Sequence, residues 1–157
     1  MPSFTTLVDL LDAFGKRGDQ PAVMVVREQM LESWSFAKLA GRARRVAIQL
    51  TQSGVVRQEP VAILLPNRPE WIAAYFGIVA AGATAVPLDF MSRDGDMPRM
   101  LARVGCRRMF TTAARRHQLQ TVWKLDDVVF HSLDEEDGVE ACSAEAALQG
   151  DVSLPAA

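Results

Sequence analysis

Residues 60–89 read PVAILLPNRPEWIAAYFGIVAAGATAVPLD, two short apolar runs on either side of one helix-length segment. The stretch reads as a single parallel β-α-β unit. Val61 to Leu65 is apolar at every position, the pattern of a strand covered on both faces, and it stops at Pro66-Asn67. Asn67 stands where it can cap a helix whose first turn carries Pro69 and Glu70. A missing N–H costs nothing there, and a negative charge meets the positive helix end. Gly82 ends that helix, expected over Arg68 to Ala81. Thr84 to Leu88 returns as the next strand, parallel to the first by the right-handed crossover rule. Trp71 to Leu88 carries no charge and approaches the length of a membrane span, but Gly77, Gly82 and Pro87 interrupt it. Helix plus strand accounts for it, and no transmembrane span is expected.

Working outward, strands and helices alternate. Thr5 or Thr6 caps a helix through about Lys16, with Leu7, Leu10, Leu11 and Phe14 on one stripe. Ala22 to Val26 and Leu31 to Ser35 read as a hairpin. Ser35 caps a long helix with Leu39, Ala43, Val46, Ala47 and Leu50 inward and Arg42, Arg44 and Arg45 on a solvated face. Downstream, Met97 to Val104 reads as a helix with Met97, Met100, Leu101 and Val104 inward. Arg108 to Thr111 is a strand, Ala113 to Thr121 a polar helix or loop, and Val128 to Ser132 a last strand. The fold class is α/β: a doubly wound, mostly parallel sheet with helices on both faces and the hairpin at an edge. Residues 1–133 form this unit, and residues 134–157, acidic through Asp137 and then small and polar, read as a linker.

Composition narrows the function. A chain of 157 residues with 49% hydrophobic and 23% charged residues is one ordinary globular domain. A net charge of -2 excludes a nucleic-acid surface, which needs concentrated positive charge to displace counterions. Cys106 and Cys142 lack any CxxC or histidine spacing, so reduced thiols are expected rather than a metal site or a disulfide. The first residues lack a basic start and an unbroken apolar stretch, so no secretory signal is read and the expected location is cytoplasmic. His117 and His131 have no carboxylate or cysteine at triad or ligand spacing, and neither GxSxG nor GxGxxG occurs. Gly15 to Gly18 lacks phosphate-loop spacing, and Thr111-Thr112 is a hydroxyl pair without glycines. No catalytic residue and no metal ligand are read from the chain.

Three segments nevertheless resemble core motifs of the adenylate-forming enzymes, the superfamily of acyl-CoA synthetases, peptide-synthetase adenylation domains and luciferases. They are WSFAKLAGRARRVAIQL at Trp34 to Leu50, VAILLPNRPEW at Val61 to Trp71 and IVAAGATAVPLD at Ile78 to Asp89, in the family's order. Two positions depart from the pattern. Gln58-Glu59 stands where a Gly-Asp pair is usual, so the turn there is expected to take another backbone shape. Asp89-Phe90 replaces Asn-Pro or Asp-Pro.

The resemblance implies the N-terminal subdomain of an ATP-dependent ligase that turns a carboxylic acid into an acyl-adenylate and then an acyl-thioester. ATP, Mg and CoA are implied for the full enzyme, and the remaining subdomains of the same polypeptide are the implied partners. The family's Ser/Thr/Gly-rich phosphate loop, later acidic residues and C-terminal lysine are not in the sequence, so this chain alone is expected to catalyse nothing. An acyl-CoA synthetase is preferred over a peptide-synthetase domain because Met1 opens the frame with no preceding module. A flavodoxin-like, non-catalytic interaction module is the alternative of another class. In CoA-forming relatives the segment after the second core motif, and the loop after the following strand, approach the nucleotide end of CoA. These match Asp89 to Met91 and Ala113 to His117, which makes Phe90, Arg115 and Arg116 the expected CoA edge.

Overall fold

The computed structural model describes residues 5–27, 29–92 and 94–133. The expected linker, the acidic turn from Asp134 and Cys142 lie outside them. In chain order the elements are α1 (Leu7–Lys16), β1 (Pro21–Arg27), β2 (Met30–Ser35), α2 (Phe36–Gln52), β3 (Pro60–Leu64), α3 (Pro69–Ala80) and β4 (Thr84–Pro87). A 3-10 turn at Asp94–Asp96 leads into α4 (Met97–Val104), followed by β5 (Arg108–Thr111), α5 (Ala113–Trp123) and β6 (Val129–His131).

Four strands make one sheet in the order β4-β3-β5-β6, every neighbour parallel. Side chains of successive strand residues point to opposite faces, and the burial follows that period. Val61, Ile63 and Phe110 meet Val46 and Leu50 of α2 and Ala74 and Ile78 of α3 on one face. Ala62, Leu64 and Met109 meet Met97 and Leu101 of α4 and Leu119 of α5 on the other. The doubly wound class is therefore as expected. Outside α2 and α3 lies α1, with Leu11 packed against Ala40, Ala43 and Ala80.

Small residues let α2 and α3 close on each other. A Cβ at Gly77 would stand 2.4 Å from Val46 Cβ and 2.6 Å from the Ala43 carbonyl oxygen, so glycine is required by contact, not by backbone angle. The hairpin forms a two-stranded sheet of its own, whose ladder does not continue the four-stranded one. Buried Trp34 anchors it to Leu39 of α2 and Ala73 of α3, so the helical layer carries it. Its other side leaves Met24, Val26, Met30 and Leu31 exposed.

Helix starts follow the expected chemistry with one correction. Thr6 and Asp9 form a capping box at 2.8 and 3.1 Å, and the bonds from Thr6 hold the Asp9 carboxyl below the usual carboxylate range. Ser35 caps α2 through Lys38 N at 3.1 Å. Asn67, however, does not cap α3. Pro69 forces the residue before it out of the helical region, and Arg68 is extended (φ -152°, ψ 165°), occupying the cap position without a side-chain capping hydrogen bond. Asn67 is thereby displaced one residue outward and stays exposed.

Three other expectations change. Gln58 adopts φ 62°, the left-handed shape a glycine would serve, so the turn before β3 keeps that geometry with a different residue. On α4 only Met97 and Leu101 are buried, whereas Met100 and Val104 lie on the rim, because two turns present only an i, i+4 pair to the sheet. Leu7 of the α1 stripe is exposed as well. Among the described residues no helix is long and apolar enough to cross a membrane.

Candidate functional site at the carboxyl edge of the sheet

The chain order locates the edge that can host a ligand. β3 runs through α3 to β4 over one face, and the chain then returns through α4 over the other face to β5, on the far side of β3. Winding reverses at β3 and β5, and a crevice opens beyond the carboxyl ends of strands at such a point. Leu65 to Arg68, Leu88 to Ser92, Thr112 and Ser132 are the residues that leave the sheet there.

Both threonine hydroxyls at this edge bond to the backbone. Thr111 Oγ1, buried, donates to the Leu64 carbonyl at 3.0 Å and bridges β5 to β3. Thr112 Oγ1 caps α5 by accepting from Arg115 N at 3.2 Å. Asp89 folds the loop after β4: its Oδ1 accepts from Met91 N, and its carbonyl from Ser92 N, each at 2.9 Å.

Phe90 and Arg115 are brought together. The guanidinium lies 5.6 Å from the Phe90 ring centroid, Nη1 donates to Gln118 Oε1 at 3.0 Å, and Nη2 to the Ser92 carbonyl at 3.4 Å. Arg116 is exposed, with Nε bonded to Gln120 Oε1 at 3.3 Å on its own helix. Ser92 and Gln118 carried no signal in the sequence, since a carbonyl partner is invisible in residue type and the amide reads as ordinary helix surface.

The two histidines separate as structural groups. His117 is exposed on α5. His131 is buried and stacked on Phe110, with centroids 5.0 Å apart, and Nε2 has no hydrogen-bond partner among the described residues. Burial first, and then the Arg108 charge, push its pKa down to about 4, so it is a neutral core residue. Burial likewise pushes the Cys106 thiol up to about 11, which leaves it unreactive.

A shallow groove of about 240 Å³ lies between β1 and the start of α3, lined by Val23, Val25, Asn67, Trp71 and Ile72 among others.

The sequence pattern of the AMP-binding enzymes matches residues 11–154. The chain belongs to the AMP-binding enzyme family. It is 38% identical over 84 residues to a probable non-canonical nonribosomal peptide synthetase, CymA of Salinispora arenicola, covering 52% of this chain and 1% of that protein. To the human mitochondrial acyl-coenzyme A synthetase ACSM1 it is 34% identical over 85 residues, covering 53% of this chain and 15% of that one. The fatty acyl-adenylate ligase of L. pneumophila shares the fold at a TM-score of 0.73 and 18% identity, over 85% of this chain and 24% of that chain. This AMP-binding chain thus spans a small part of the length of each.

No group of three His, Cys, Asp or Glu side chains that could hold a metal gathers among the described residues. Thr111 and Thr112 have their hydroxyls turned to the backbone, as above.

Proposed function

We propose that this chain is the N-terminal subdomain of a carboxylate-activating ligase that transfers its acyl group to CoA. In that reaction a carboxylate oxygen displaces pyrophosphate from ATP to give the acyl-adenylate. The thiol sulfur then attacks the acyl carbonyl and AMP leaves. The observation that carries the reading is the family match across residues 11–154, laid on a parallel sheet whose winding reverses at β3 and β5.

In this reading the chain supplies scaffold and one edge of the acceptor path, formed by Phe90, Arg115 and Arg116. ATP and magnesium are held by the rest of the enzyme, residues 134–157 link this unit to it, and the location is cytoplasmic. Adenylyl transfer is accelerated by positioning and by charge stabilisation around the phosphates. The backbone-bonded threonine hydroxyls described above supply neither.

The similarity to CymA favours a second acceptor, the thiol of a carrier protein in a peptide synthetase. One experiment separates the two. The ligase that carries this chain is supplied with ATP, magnesium, a panel of carboxylic acids and either CoA or a phosphopantetheinylated carrier protein. Thioester on CoA supports the proposal, thioester on the carrier alone moves it to the peptide-synthetase class, and no acid-dependent pyrophosphate release rejects both.

A further inference from the structure

We propose that the acidic segment of this chain, residues 134–151, lies across the outer face of α4 and pairs with Arg99 and Arg103. It does so whichever thiol accepts the acyl group. Charge is segregated along the sequence: residues 134–157 hold seven Asp and Glu and no Lys or Arg, whereas residues 1–133 hold all seventeen Lys and Arg against twelve Asp and Glu. A strongly anionic stretch therefore follows directly on a cationic unit.

Within that unit, α4 carries positive charges that nothing answers among the described residues. Arg99 and Arg103 are exposed, and neither side chain makes an ion pair or a hydrogen bond there; the same holds for Arg107, just past the helix. By contrast, Arg44 meets Asp12 and Arg108 meets Glu59. Arg99 and Arg103 stand four residues apart on one face of α4, where like charges destabilise a helix, and α4 itself contains no acidic residue. Met100 and Val104, each following one of these arginines, remain 38% and 45% exposed. That surface of cations flanked by apolar side chains complements a segment whose acids are interleaved with Val139 and Leu148. The reach is short. Two strand spacings, about 10 Å, separate β6 from β3, whose Ala62 and Leu64 pack against Met97 and Leu101 of α4. Ten extended residues span about 33 Å, so Glu140 and Glu145 come within range of both arginines from Leu133. The chain then leaves this unit over the α4 and α5 side of the sheet, not over α2 and α3.

The 157-residue chain carries its own probe position, because Cys142 lies inside the acidic segment while Cys106 is buried and unreactive. A nitroxide attached to Cys142 broadens the amide signals of whatever it approaches. At about 0.05 M salt the label should remove about half of the amide intensity from Arg99 to Val104, and at about 1 M salt, where charges are screened beyond about 3 Å, most of it should return. Arg99→Glu combined with Arg103→Glu should abolish the broadening, and both positions are exposed, so the fold is retained. Adding Glu136→Lys, Glu140→Lys and Glu145→Lys to that variant should bring part of it back. Broadening of α4 that survives the arginine reversal overturns the pairing. Broadening confined to α2 and α3 overturns the route, and none at low salt overturns the proposal and leaves the α4 arginines to a partner outside the chain.

Discussion

The two ends of the four-stranded sheet differ in what their polar groups do. At the amino end, Arg108 Nε meets Glu59 Oε1 at 2.8 Å with both side chains mostly buried, and its other nitrogens bond Ser53 Oγ and the Ser53 carbonyl at 3.1 and 3.0 Å. Glu59 also accepts from Val56 N at 2.9 Å, Gln58 N reaches the Gly82 carbonyl at 2.8 Å, and Thr84 N reaches the Glu59 carbonyl at 2.9 Å. Thus the end of α2 and the starts of β3, β4 and β5 are fastened together. At the carboxyl end, Asn67, Asp89, Met91 and Arg116 are exposed on loops and on the first turn of α5. A sheet with one end closed by internal bonds can present its other end to ligands without loss of fold, which is the division of labour expected of parallel α/β sheets.

The largest test of this contrast removes Glu59. Glu59→Ala strands a mostly buried guanidinium, and breaking such a pair costs about 3–5 kcal/mol. Urea unfolding should show that loss, and a change below 1 kcal/mol would mean that water already screens the amino end.

His131 sharpens the comparison, because it brings a buried polar group to the strand beside Phe110. Its folded pKa, about 4, lies below the ordinary value of 6.5, so the fold favours the neutral ring. Stability is then full above pH 6.5, falls as the pH drops towards 4, and levels off below that, by about 3 kcal/mol in all. His131→Phe should flatten that window in a series of melts.

A smaller effect is expected at Gln58. Non-glycine residues are strained at φ 62°, so Gln58→Gly should raise stability by about 0.5 kcal/mol once the added freedom of the unfolded chain is discounted. The smallest belongs to the open end: Met91→Gln or Asn67→Ala should change the unfolding midpoint by less than about 0.5 kcal/mol.

Much of the scaffold was legible because burial enforces a period. The α2 face of Leu39, Ala43, Val46, Ala47 and Leu50 and the unbroken apolar run of β3 were readable from spacing alone, and all are buried as read. Local rules failed where two of them competed. At Asn67 the preference of asparagine for helix caps lost to the restriction that Pro69 places on Arg68. At Gln58 tertiary bonding to Gly82 imposed a backbone angle that residue type opposes. The hairpin was readable as a hairpin, but its seat on α2 and α3 depends on where Trp34 is buried, which no local pattern contains. The candidate acceptor edge was read through resemblance alone, as Phe90, Arg115 and Arg116. That Arg115 and Phe90 touch while Arg116 stands apart is set by the path of α5 across the edge of the sheet.

The central claim is that these residues provide a framework and an acceptor edge, with the nucleotide chemistry supplied from elsewhere in the enzyme. Purified 157-residue chain, incubated with ATP, magnesium and a panel of carboxylic acids, tests it through exchange of labelled pyrophosphate into ATP. No exchange is expected, together with no rise in melting temperature on adding ATP. Acid-dependent exchange by the homogeneous chain would contradict the account, because it would place the phosphate-binding donors within these residues.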